Sequence, residues 1–325
     1  MTERECGNCV EGRTMKTIKL NNGVEMPQHG FGTFLIPKDK FSKTIGKAYE
    51  LGIRQFDTAW RYRNEGDLAQ ALKDNGIDRR DVFITSKFNA DAVCRLGWKW
   101  WAFGPLSFLN QLRKASIRDA IRQSLDRLKT DWIDLYLMHW PYDFYEEIWT
   151  EMARAMDDGL VRAIGVCSFL PPHFDALKSI SGVLPAVNQF EISPLNTQKQ
   201  LINYCQSRGI VVEAMGTFSH CRSNEPRMEI LRHPILAQLA RKHGKSVAQI
   251  VLKWLLQQDV AIIPKTWDER HLCENVELYD FELSPEDMAT IDALDRGKFL
   301  NYKPLSARVG YFKRLWQWRR AGMPY

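Results

Sequence analysis

The sequence is poor in cysteine and has no long apolar run. Seven cysteines among 325 residues is an odd number, and Cys94, Cys167, Cys205, Cys221 and Cys273 are scattered. Such spacing argues against a disulfide framework and for a reducing, cytoplasmic compartment. Only Cys6 and Cys9 stand close, as Cys-Gly-Asn-Cys, and no second pair of ligands follows. Residues 1–14 are therefore read as a flexible leader with two free thiols, and no metal site is expected. No apolar stretch approaches the roughly 18–20 residues that a spanning helix needs, so no transmembrane segment is expected. The first residues also lack the apolar core of a secretory signal. Charge of one sign is scarce too. The net +6 belongs to residues 297–325, which hold seven Lys and Arg and no acid, and the rest is near neutral. A nucleic-acid partner is not expected from so local an excess.

Short apolar runs alternate with longer amphipathic ones. Residues 15–27 read as a hairpin about an Asn-Gly turn at 22–23. The strand-like runs then fall at 30–34, 55–59, 81–87, 131–139, 162–169, 186–192, 210–216 and 260–266. Helical patterns lie between them at 38–51, 64–75, 115–129, 145–157, 171–180 and 197–208, then 229–257 (two helices broken near Gly244) and 284–294. Ser284 with Asp287 resembles a helix capping box. Eight such alternating units predict an α/β fold, a (β/α)8 TIM barrel with an N-terminal β-hairpin as plug. An open doubly wound sheet would show a G-x-G-x-x-G turn opening a helix after its first strand, and none is present. The barrel is assigned to residues 15–296, with a basic C-terminal extension at 297–325 packing on it.

In a barrel, strand ends on the C-terminal face carry the chemistry. Asp57, Lys87 and His139 end three successive predicted strands, and Tyr62 lies in the loop after Asp57. Each alone has a bland explanation: a cap, a solvated charge, a satisfied core histidine. Together they form a proton-donor site suited to carbonyl reduction. The phenol pKa, ordinarily about 10, is expected to fall beside an ammonium that a carboxylate keeps charged. Lys265, Thr266 and Arg270, at a predicted helix start, offer two cations and a hydroxyl to a phosphomonoester.

The order and spacing of several strings then become informative. They are G-V-E-M-P-Q-H-G-F-G-T at 23–33, F-D-T-A-W-R-Y-R-N-E at 56–65, T-S-K at 85–87, D-L-Y-L-M-H-W-P at 134–141, V-N-Q at 187–189 and I-P-K-T at 263–266. The sequence resembles the aldo-keto reductase family across about residues 16–296. The resemblance implies hydride transfer from NADPH to an aldehyde or ketone, with Tyr62 as proton donor. Lys87 and Asp57 would tune it and His139 would orient the carbonyl. It implies that Gly32, Thr33, Asp57, Ser168, Gln189, Met215, Gly216 and Phe218 line the cofactor. Lys265, Thr266 and Arg270 would hold the 2′-phosphate, with Glu274 and Asn275 near adenine.

Three departures from the family pattern stand out. Cys167-Ser168 replaces the usual Ser-Asn, and Met215 replaces an aromatic residue that stacks on nicotinamide. A long loop at 88–114 contains Trp98, Trp100 and Trp101, which with His139 are candidate substrate contacts. They suit a bulky, partly apolar carbonyl, or they simply anchor the loop. The tail at 305–325 has apolar residues near helical spacing amid basic ones. It is expected to pack on the barrel, with weak contact to an anionic surface as the alternative. An NADPH-binding regulatory or sensing protein with little turnover is the competing reading of the altered cofactor grip. A cofactor-dependent isomerase or dehydratase using the same acid is a third. The partner is a small-molecule carbonyl, and the chain a monomer or homodimer.

Overall fold

A computed structural model describes residues 15–89, 117–142, 145–218 and 225–300. The leader 1–14, the candidate substrate contacts Trp98, Trp100 and Trp101, and the tail beyond residue 300 lie outside the described residues.

Strands β1 (Thr17–Lys19) and β2 (Glu25–Pro27) pair antiparallel, with Ile18 opposite Met26. Gly23, at φ +88°, supplies the left-handed turn between them. The hairpin is tied to the base of the barrel. Asn21 donates to the Pro185 carbonyl and Asn22 to the Arg162 carbonyl, each at 2.9 Å.

The barrel strands are β3 (Phe31–Gly32), β4 (Gln55–Asp57), β5 (Phe83–Phe88), β6 (Ile133–Met138), β7 (Val161–Cys167), β8 (Val187–Glu191), β9 (Val211–Met215) and β10 (Ala261–Ile262). They form one 8-stranded parallel sheet in chain order. The two ends meet: Gly30 N–H donates to the Ile262 carbonyl at 2.8 Å, and Ile262 N–H to the Gln28 carbonyl at 2.9 Å. The sheet is thus a closed (β/α)8 barrel, and every expected strand run overlaps one of its strands.

Side chains alternate across the barrel wall with the period of two that a strand imposes. Phe83, Leu135, Leu137, Ala163, Val187, Val211 and Ala261 face inward and form one cluster with Leu20 and Met26 of the hairpin. The hairpin therefore plugs an apolar base. Their neighbours Ile84, Tyr136, Met138, Ile164, Val166, Phe190 and Val212 belong to the larger core beneath the helices. Toward the other end the interior turns polar, with Gln55, Asp57, Lys87, Gln189 and Glu213 all buried.

The outer layer comprises α1 (Lys38–Glu50), α2 (Glu65–Asp74), α3 (Ile117–Leu128), α4 (Tyr145–Asp157), α5 (Pro171–Ser181), α6 (Lys199–Gln206), α7 (Glu225–Leu231), α8 (Pro234–His243), α9 (Val247–Leu256), α10 (Glu269–Val276) and α11 (Pro285–Asp292). Two helical expectations need correction. The segment read as two helices over 229–257 contains three, because Pro234 restarts the chain at the first turn of α8 and Gly244 ends it at φ +62°. Helix α10 was expected only as a helix start near Lys265, Thr266 and Arg270, without a range of its own; Asp268 caps it by accepting from His271 N–H at 3.0 Å. The Ser284–Asp287 capping box is present at α11, with reciprocal bonds of 3.2 and 3.3 Å. The cysteine expectation changes as well. Cys167 and Cys205 are free and buried, but Cys273 is disulfide-bonded. A bridge depends on proximity in space, which scattered sequence spacing does not reveal.

Candidate active site

Three neighbouring strands bring the polar groups together. Asp57 ends β4, Lys87 stands in β5 in register with Leu137 of β6, and His139 follows β6. Lys87 has no exposed surface, yet its charge is fully accompanied. Its Nζ donates to Asp57 Oδ1 and Oδ2 at 2.5 and 2.6 Å, and to the Thr58 carbonyl at 3.0 Å. Burial alone would pull the ammonium down, but the Asp57 carboxylate more than reverses this and holds it above its ordinary value.

The chain then turns sharply so that a phenol can face this pair. Residues Trp60–Tyr62 form a single 3-10 turn, ended by Arg63 at φ +56°. The Tyr62 hydroxyl comes to 3.4 Å from Lys87 Nζ. Its ring packs edge-on against His139, at a centroid distance of 5.9 Å, and against Phe34 at 4.7 Å. The His139 ring stacks on Trp140 at 5.4 Å, nearly parallel at 7°. All four sequence-expected residues thus meet in one place.

The expected acidity of Tyr62 requires correction. Desolvation pushes its pKa up to about 12, and the lowering by Lys87 does not overcome it. Burial is the largest effect, and the Asp57 carboxylate, which balances the same ammonium, adds a smaller push in the same direction. The Tyr62 hydroxyl therefore keeps its proton at neutral pH.

The cofactor expectations distribute around the same rim. Gly32 ends β3 and Thr33 follows it, Ser168 follows β7, Gln189 lies in β8, and Met215, Gly216 and Phe218 end or follow β9. The Thr33 hydroxyl donates to the Asp57 carbonyl at 2.9 Å, so this side chain ties β3 to β4. Ser168 adopts φ +58°, the left-handed region that asparagine tolerates better than serine. Asn188 holds the turn behind it, accepting from Phe169 N–H and donating to the Phe169 carbonyl. Cys167 is buried beside this turn, and burial pushes its thiol far up, so it is an inert core thiol.

At the far rim, Lys265 extends over the Trp267 ring at 4.5 Å. Desolvation first, and the Arg227 charge second, hold its pKa below the ordinary lysine value. Two cations facing each other suit an anionic ligand. The Thr266 hydroxyl oxygen accepts from Asp268 N–H at 3.1 Å, which leaves its proton to donate. Arg270 and Glu274, one turn apart on α10, form an ion pair at 3.6 Å, and Asn275 follows them. This donor set fits a dinucleotide phosphomonoester.

Residues 30–296 match the profile of the Aldo/keto reductase family. The chain belongs to that family. The glyoxal reductase of Bacillus subtilis is 38% identical over 291 residues, covering 89% of this chain and 96% of its own length. The morphine 6-dehydrogenase of Pseudomonas putida is 36% identical over 305 residues, covering 91% and 96%. Among solved structures, an aldo-keto reductase of Bombyx mori in complex with NADP is 30% identical. It aligns with a TM-score of 0.75 over 89% of this chain and 95% of its own. As an aldo-keto reductase the protein is an NADPH-dependent oxidoreductase of carbonyl groups.

Sequence reasoning missed the deeper members of the site. Gln55 and Glu213 face the interior below Asp57, and Phe34 and Trp140 flank the phenol and the imidazole. A charged residue within the apolar run 210–216 was the available signal for Glu213.

Proposed function

We propose that Tyr62 delivers the proton, that Lys87 and Asp57 control it, and that His139 orients the substrate carbonyl. The observation that carries this is the Lys87 ammonium, held by Asp57 at 2.5 Å and reaching the Tyr62 hydroxyl at 3.4 Å. When bound, NADPH supplies the hydride that converts the carbonyl carbon to an alcohol carbon. The oxygen needs a proton at the same moment, and Tyr62 holds one at neutral pH. As the phenolate forms, Lys87 stabilises it from one side. The His139 imidazole, edge-on to the phenol, hydrogen-bonds the same substrate oxygen in this reading. Lys265, Thr266 and Arg270 hold the cofactor's 2′-phosphate, with Glu274 and Asn275 at the adenine end. Gln189 and Ser168 engage the carboxamide.

The substrate is a bulky, partly apolar carbonyl. Phe34 and Trp140 give the described part of the site aromatic walls, and the 88–114 loop has three more candidates in Trp98, Trp100 and Trp101. Relatives named for glyoxal and for morphine support a scaffold that accepts both small and large substrates. Loss of NADPH absorbance is the assay, with methylglyoxal set against bulky aryl aldehydes and polycyclic ketones. The expected outcome is a higher kcat/KM for the bulky set. His139→Leu should lower kcat/KM about 100-fold with NADPH binding intact. NADPH consumption with no carbonyl of the panel would refute the proposal.

A further inference from the structure

Glu213 is a wholly buried carboxyl for which the reaction outlined above has no use. It lies mid-β9 facing the interior, in register with Gln189 on β8 and Ala261 on β10. Two amides bind it: Gln55 donates to Oε1 at 2.7 Å and Gln189 to Oε2 at 2.5 Å. The same Gln189 nitrogen also donates to Asp57 Oδ2 at 3.0 Å. A primary amide has only two N–H bonds. Both of those on Gln189 are therefore committed to carboxylates, and its oxygen is the group left to accept from a ligand. That oxygen faces the Cys167 thiol at 3.9 Å. Gln55 is itself held in a fitted space: a Cβ at Gly30 would stand 2.9 Å from its side chain.

We propose that Glu213 is a positioning residue for carbonyl reduction. It fixes the amide of Gln189 as a hydrogen-bond acceptor, and its charge sets the field in which Asp57 and Lys87 hold the Tyr62 proton. The proposal rests on Tyr62 being the proton donor. Continuity carries it: Gln55, Glu213, Gln189, Asp57, Lys87 and Tyr62 form one unbroken hydrogen-bonded chain across the barrel. Among the described residues, the ionisable groups facing Glu213 are Asp57 from β4, Lys87 from β5 and Cys167 from β7. With Glu213 ionised, two carboxylates confront one ammonium. With it protonated, Asp57 and Lys87 balance. Burial first, and the Asp57 charge second, push the Glu213 carboxyl up to about 7, against the pull of Gln189, Lys87 and Gln55. Protonated Glu213 leaves the field at Tyr62 more positive, so the phenolate forms more readily. Ionised Glu213 slows proton delivery.

The test is the single-turnover rate of NADPH oxidation, by a carbonyl that the wild type reduces, from about pH 5 to about pH 9. The wild-type rate should fall about fivefold through an inflection near neutrality. Glu213→Gln should lack the inflection and keep the faster, low-pH rate throughout. Its amide nitrogen can be met by Gln55 turning its own oxygen, which has no partner, toward it. Gln55→Leu removes a donor to the carboxylate and should move the inflection to higher pH. A flat wild-type profile, or the same inflection in Glu213→Gln, overturns the proposal. If Glu213→Gln does not fold, an unmoved inflection in Gln55→Leu overturns it instead. Tyr62→Phe separates the two claims. It should lower the rate about 10²–10⁴-fold at every pH, and an unchanged rate there refutes the donor assignment rather than the titration of Glu213.

Discussion

Lys87 has no exposed surface, and one carboxylate, one carbonyl and one phenol account for its three N–H bonds. Removing one partner of such a pair leaves the other charge buried alone. Lys87→Met should therefore cost about 3–5 kcal/mol of stability, read by urea denaturation, as well as turnover. Asp57→Asn leaves the ammonium a weaker partner and should be milder. Ser168 gives the opposite opportunity. At φ +58° a serine is held in a region that asparagine enters more easily. Ser168→Asn should raise stability by up to about 1 kcal/mol, and a lower Tm would contradict the strain argument. Residue identity was the most legible level in the sequence. Asp57, Tyr62, Lys87 and His139 could be found because strand ends on one barrel face must converge. The raised pKa of Tyr62 could not, because it depends on how fully Asp57 neutralises Lys87 and on how deeply the hydroxyl is desolvated.

Element by element, strands buried on both faces were visible as apolar runs, and each of those runs overlaps a barrel strand. Their ends were less visible. Only Phe31–Gly32 and Ala261–Ile262 pair as strands at the closing seam, although the apolar runs around them are longer. Apolar content marks burial, whereas strand length follows the register at which the barrel closes. Only the start of helix α10 was legible, because it has eight residues and buries only Leu272 and Val276. The charged residues around those two look like a loop, and only the Asp268 cap distinguishes it. Glu213 escaped for the reverse reason, as one carboxyl inside an otherwise apolar strand. The hairpin gives an element-scale prediction. Met26 has no exposed surface and Leu20 almost none, and both close the apolar base of the barrel. Met26→Ala should cost about 2–5 kcal/mol by opening a cavity there, with the Michaelis constant for the carbonyl unchanged because the site is at the opposite end.

At the scale of the whole molecule, the barrel closes where the segment before β3 meets β10, and a buried histidine sits on that seam. His29 bridges to Ile262, and its Nδ1 lies 3.3 Å from the Tyr279 hydroxyl. Burial lowers its pKa from 6.5 to about 3, so the folded protein keeps it neutral. The unfolded chain takes up a proton below pH 6.5 and the folded one does not until about 3, so the stability due to neutral His29 is lost as pH falls through that window. The slope from this residue approaches about 1.4 kcal/mol per pH unit. Denaturant titrations at several pH values should show it, and His29→Leu should flatten the profile. A variant as acid-sensitive as the wild type would place the effect elsewhere.

The proton of Tyr62 connects these scales, since the closed barrel sets the strand ends, the strand ends set Lys87 and Asp57, and these set the phenol. The most direct test is the single-turnover rate of hydride transfer from bound NADPH in Tyr62→Phe. The account predicts a loss of about 10²–10⁴-fold with NADPH affinity unchanged. A rate equal to that of the wild type would contradict it.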